Sequence, residues 1–144
     1  MAYTISQVSK LTGITPSTIR YYDKEGLLPR VERKNGIRLF TDTDIRWFHL
    51  LTCLKNTGMP IKRIREYAKL TLQGDTSLKE RQALIREQRQ FVQDQIDQLL
   101  FYMQELDFKE WYYNKALSLG SESKINLDDY EKETGKKTPD KLSL

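Results

Sequence analysis

Two groups of side chains in this chain of 144 residues have the types and spacing to do chemistry. The first centres on a thiol. Cys53 is the single cysteine and His49 the single histidine, so an internal disulfide and a Cys/His zinc site are both excluded. His49 lies four residues before Cys53 and Arg46 seven before it, a spacing that puts all three on one face of a helix. A cation beside a thiol favours the reactive thiolate at neutral pH. Three readings fit this arrangement. Cys53 can respond to an electrophile, it can be the nucleophile of a thiol enzyme with His49 as base, or it can be a small buried hydrophobe. The enzyme reading lacks a third orienting group and any Gly-rich oxyanion or cofactor loop.

The second group offers hydroxyls and cations. Thr15, Ser17 and Thr18 stand at a helix start, where side-chain hydroxyls and free backbone N–H groups suit an anion. Arg20, one turn on, can reach a guanine edge or a phosphate. Arg33, Lys34 and Arg38 crowd around Asn35-Gly36 and suit phosphate contact better than burial.

The elements that must position these residues are legible. Thr4 and Gln7 form a capping box, Ile5, Val8 and Leu11 recur at helical spacing, and Gly13 is placed to end that helix. Thr15-Pro16 is a strong start signal for a second helix running to Gly26. Two short helices joined this closely make a helix-turn-helix. Asn35-Gly36 then favours a type I′ hairpin turn, with Val31 to Lys34 pairing with Ile37 to Phe40 as a two-stranded wing. Thr41 caps a third helix to Gly58, whose buried stripe is Ile45, Phe48, Leu51 and Leu54. Pro60 opens a fourth helix from Ile61 to about Leu70.

Ser77 and Glu80 have the form of a second capping box, and neither proline nor glycine occurs from there to Gly120. Steps of four and three from Ile85 reach Arg89, Val92, Ile96, Leu99, Met103, Leu106, Glu110 and Tyr113, seven of the nine being apolar. This heptad seam predicts a coiled coil covered by a second copy. The expected fold is therefore mainly α. A winged helix-turn-helix domain with a two-stranded wing occupies residues 1–74, a long dimerising coiled-coil helix 75–119 and a mobile tail 120–144. Trp47, Trp111, Tyr112 and Tyr113 either line an apolar ligand site or pack the end of the coil.

Charge divides along the same line. Residues 1–74 hold 13 of the 24 Lys and Arg but 6 of the 20 Asp and Glu, a net of +7, which leaves −3 for the remainder. A basic half beside a mildly acidic one points to a polyanion partner for the first. A coiled-coil adaptor binding only protein fits this asymmetry poorly. The absence of a signal pattern after Met1 and of a long apolar run predicts a cytoplasmic protein with no membrane partner.

Thr18-Ile19-Arg20-Tyr21-Tyr22-Asp23-Lys24-Glu25-Gly26-Leu27-Leu28-Pro29, Arg38-Leu39-Phe40 and Gly58-Met59-Pro60-Ile61-Lys62-Arg63-Ile64 resemble the signature of the MerR family of bacterial transcription regulators. The resemblance covers about residues 4–74. It implies a homodimer joined through an antiparallel coiled coil, bound to double-stranded promoter DNA and twisting a long spacer so that RNA polymerase can engage. It also implies that Tyr21 and Tyr22 match a tyrosine pair whose phenol bonds phosphate, and that Arg38, Lys62 and Arg63 clamp the DNA backbone. Adjacent helical residues cannot both face the core, and Tyr21 is the expected contact of the pair. Metal-sensing members use two or three cysteines, so no metal or other cofactor is expected. Cys53-Leu54-Lys55-Asn56-Thr57-Gly58-Met59 resembles the single-cysteine, aldehyde-responsive branch, which implies an effector-sensing role for Cys53, with His49 beside it. A non-covalent effector, or none, is the alternative.

Overall fold

The computed structural model describes residues 1–29 and 32–139, apart from the side chain of Glu32. Val31 of the expected wing and residues 140–144 of the expected tail lie outside the described residues. In chain order the elements are α1 (Ile5–Thr12), α2 (Pro16–Lys24), β1 (Glu32–Lys34), β2 (Ile37–Leu39), α3 (Asp42–Asn56), α4 (Ile61–Leu72), α5 (Leu78–Leu119) and α6 (Asp128–Thr134). Short 3₁₀ turns at Gly74–Ser77 and Glu122–Lys124 precede α5 and α6. The chain divides into two compact units, Met1–Val92 and the segment from Gln93 onward, with the boundary inside α5.

The first unit follows from its local signals. Thr4 and Gln7 form the reciprocal capping box, and Gly13 ends α1 in the left-handed region at φ 75°, where a side chain would be strained. Thr15 caps α2 and Pro16 opens it. Asn35 and Gly36 both have positive φ, 53° and 77°, as a type I′ turn requires. The two strands pair antiparallel in the register Glu32 with Leu39, Arg33 with Arg38 and Lys34 with Ile37. One pairing was not legible in the sequence: Tyr3 exchanges both backbone hydrogen bonds with Phe40, at 2.7 and 2.9 Å, which ties the N-terminus to the end of the wing.

The core of this unit joins Val8, Ile19, Tyr22, Leu27, Phe40, Phe48, Leu51, Leu54, Met59 and Ile64. Each helix thus contributes one apolar stripe to a shared interior, the only way four short helices can keep their faces from water. Polar ties lock the arrangement. Trp47 Nε1 donates to the Leu27 carbonyl at 2.8 Å, and Gln88 of α5 donates to the carbonyl and hydroxyl of Thr57 at the end of α3. Arg63 of α4 pairs with Glu87 of α5.

The start of α5 differs from the expected capping box. Ser77 is fully buried, donates to the carbonyls of Leu70 and Gly74, and accepts from Arg81 Nε at 2.9 Å. The 3₁₀ turn before Leu78 already has helical backbone, so the hydroxyl is used to seat that turn.

The second unit is organised around aromatic rings. Tyr130 of α6 is buried and stands edge-on to Phe108, with centroids 4.9 Å apart, and beside Trp111 at 5.3 Å. The segment after Gly120, expected to be loose, therefore carries a helix. The two ring contacts of Tyr130 and the bonds of Glu133 to Trp111 and Lys115 hold these seven residues against α5. Ile96, Leu99, Met103, Leu106 and Tyr113 of the heptad seam are exposed in this unit.

Candidate nucleic-acid interface

The N-terminal edge of α2 is built by its cap. Thr15 Oγ1 accepts the Thr18 backbone N–H at 3.3 Å and bonds the hydroxyls of Ser17 and Thr18 at 3.1 and 2.8 Å. The three hydroxyls are thus joined to one another and hold the first turn in place, with Thr15 and Ser17 exposed and Thr18 half-buried. Arg20 is exposed on the next turn. Tyr21 and Tyr22 part as helical geometry requires: Tyr21 is 45% exposed and Tyr22 4%.

Tyr22 is the correction within that pair. Its ring belongs to the core, and its hydroxyl accepts from Lys55 Nζ at 3.5 Å, with the same ammonium 5.7 Å from the ring centroid. The sequence motif supplied two phenols in a row, but the burial of Ile19 three residues earlier sets the inward face, and Tyr22 falls on it.

The wing and α4 are both fastened to the C-terminal turn of α2. Asp23 Oδ2 faces Arg33 Nη2 at 3.8 Å and pairs more closely with Arg38. Two residues on, the Glu25 carbonyl accepts from Arg65 Nε at 2.7 Å, and its carboxylate from Arg65 Nη2 at 3.1 Å. Arg38, expected to clamp the DNA backbone, is held by Asp23. Arg63, expected in the same role, is held by Glu87 and by Glu66 at 3.6 Å. Lys34 and Lys62 are exposed and have no ion-pair partner among the described residues. Asp23, Glu25 and Arg65 were not singled out in the sequence. A signal was there for Asp23, because a carboxylate in the last turn of a helix opposes the helix dipole and needs a cation to offset it.

The thiol lies apart from this surface. Cys53 is exposed on a groove of about 260 Å³ between α3 and the stretch of α5 from Ile85 to Val92, lined by Leu50, Leu54, Thr57, Ile85, Gln88, Arg89 and Val92. The cation sharing this groove is therefore Arg89. His49 is exposed but does not line it, and Arg46 turns away to donate to Thr43 at 3.2 Å. The helical spacing put these residues on one face correctly, whereas the direction of each side chain was decided by neighbours far along the chain. No group of three metal-ligating side chains occurs among the described residues. No helix among them is long and apolar enough to cross a membrane. Trp47 stacks on Tyr67 in the first unit at 5.6 Å, while Trp111 and Tyr112 pack with Phe108 in the second.

Helix-turn-helix, wing and two further helices around one core define a winged helix-turn-helix module. Family models agree with that class: "MerR HTH family regulatory protein" matches residues 3–71 and "MerR, DNA binding" residues 45–107. An uncharacterized HTH-type transcriptional regulator of Haemophilus influenzae is 45% identical over 128 residues, 88% of this chain and 95% of its own length. The regulator AdhR of Bacillus subtilis is 39% identical over 87 residues, 60% of this chain and 62% of its own. Among solved structures, HiNmlR, described as a MerR family regulator lacking the sensor domain and bound to promoter DNA, has a TM-score of 0.73 at 44% identity. That match covers 87% of this chain and 100% of HiNmlR. The chain belongs to the MerR family of transcription regulators.

Proposed function

We propose that the protein is a homodimeric regulator that binds double-stranded promoter DNA through α2, the wing and α4, and that it distorts the spacer so that RNA polymerase can engage. The observation that carries this reading is the common anchoring of the wing and α4 on the last turn of α2. It leaves Thr15, Ser17, Arg20 and Tyr21 on the outer side of the same helix. Similarity to HiNmlR, a protein bound to promoter DNA, supports it, as does the concentration of positive charge in the first half of the chain. The test is binding to duplex DNA as salt is varied. A dimer that displaces several counterions has a log–log slope of about −5 to −9. Failure to retain any duplex at low salt would sink the reading.

The finer part of the proposal is a response to aldehydes or other electrophiles through Cys53. Its support is the exposure of the thiol in a groove shared with Arg89 and the similarity to AdhR over part of the chain. An adduct there would enlarge a side chain lying between α3 and α5 and bias the packing of one on the other. Treatment with acrolein is expected to give a single adduct by intact mass and to change promoter affinity, with both effects lost in Cys53→Ser. An adduct that leaves affinity unchanged removes the sensing role and points to a non-covalent effector or none.

A further inference from the structure

We propose that Asp23 is the positioning residue of the interface, its carboxylate seating the wing on α2 by holding both cross-strand arginines. This rests on the DNA-binding reading given above.

The wing cannot hold itself. It has three residues in each strand, and a two-stranded hairpin of that size is marginal in water. Its central pair makes matters worse, because Arg33 and Arg38 lie directly opposite in the ladder and like charges so placed repel. Asp23 offsets both defects at once. A single oxygen, Oδ2, faces Arg33 and Arg38 together, and the dipole penalty at its own position on α2 is relieved by the same two cations. The side chains of Asp23 and Arg38 are each 22% exposed, so water screens this pair far less than an open surface pair.

One donor is left over. Arg38 Nη1 is buried and has no hydrogen-bond partner among the described residues, and an unmet guanidinium N–H is costly. The cost of that buried donor makes a firm partner at Nη2 more important, and Asp23 supplies it.

The proposal predicts a sign opposite to simple charge counting. Removing an acid from a basic surface should, on charge alone, tighten DNA binding and steepen its salt slope. Loss of positioning does the reverse. Asp23→Asn is expected to weaken duplex binding by about tenfold at 0.1 M salt for each phosphate that the displaced wing no longer reaches, with a slope shallower by about one for each such phosphate in each protomer. Asp23→Asn is also expected to have a smaller further effect in an Arg38→Ala background, and none when Arg33 is replaced by alanine as well. In the DNA-free protein, amide hydrogen exchange over Arg33–Leu39 should quicken in Asp23→Asn while the exchange of core amides in α3 stays unchanged. Tighter binding by Asp23→Asn, or unchanged wing exchange, overturns the proposal. Wild-type protein that fails to bind duplex overturns the DNA-binding reading instead, and the exchange measurement still decides whether Asp23 seats the wing.

Discussion

Tyr21 and Tyr22 lie with ring centroids 6.2 Å apart, yet substitution should separate their roles cleanly. Tyr22→Ala removes a core ring that is 4% exposed and is expected to cost about 3–5 kcal/mol of unfolding free energy, measured by denaturant titration. Tyr21→Ala should change stability by about 0.5 kcal/mol or less and weaken duplex binding. A Tyr21 variant with full affinity would remove that residue from the interface. Lys62 and Arg63 divide in the same way. Lys62→Ala is expected to make the salt slope shallower by about one per protomer. Arg63→Ala should change the slope less, because Glu66 and Glu87 already engage that guanidinium. At this scale the sequence discloses residue type and helical phase but not pairing. The pairs of Arg38 with Asp23 and of Arg63 with Glu87 span 15 and 24 positions, and no local pattern connects such partners; only Glu66, three residues after Arg63, lies within reach of helical spacing. The motif carries both phenols forward together, and only helical phase separates the exposed Tyr21 from the core ring of Tyr22.

Elements with strong local signals were legible, and those that depend on a few tertiary contacts were not. Caps at Thr4, Thr15 and Thr41 and the Asn35-Gly36 turn act within four residues, so sequence alone fixes them. The helix α6 depends on Tyr130 meeting Phe108 and Trp111, contacts that no sequence period reveals. Its polar latch gives a pH test. Glu133 accepts from Lys115 and from the Trp111 indole N–H, and the Lys115 bond, followed by the Trp111 bond, holds the carboxyl below its ordinary range. A depressed carboxylate contributes stability that is complete above the unfolded-state value and lost as pH falls through the folded-state value. Lys115 is shifted upward, chiefly by its hydrogen bond to Glu133, so its share is present below the ordinary lysine value and is lost as pH rises through the higher folded-state one. The Trp111 indole N–H resonance is therefore expected to hold its position across neutral pH and to move on acidification below the usual carboxylate range. Glu133→Gln should abolish that acid transition. An indole signal in the wild type that does not respond to acid would show that the latch does not govern α6.

For the whole molecule the question is what covers the seam on α5. Leu99 is 66% exposed and Leu106 64%, with Ile96, Met103 and Tyr113 also open to solvent. Burying a leucine fully gains about 1.5–3 kcal/mol, and a symmetric pairing counts that gain once in each copy. An exposed apolar stripe at heptad spacing on a helix of 42 residues is thus costly for a single chain and favourable for two. The proposed homodimer predicts a species of twice 17.0 kDa by sedimentation equilibrium. Leu99→Asp combined with Leu106→Asp should give a monomer in which α1–α4 remain folded, since neither position belongs to the unit Met1–Val92. The consequence for DNA is arithmetical. Two linked modules bind two half-sites at a high effective concentration, and separate modules lose that advantage. The double variant should therefore bind duplex with roughly half the wild-type salt slope, because each protomer then neutralises its phosphates alone. A double variant that remains dimeric would place the contact between copies elsewhere on the chain. One that becomes monomeric yet keeps the full slope would show that a single protomer carries the whole DNA interface.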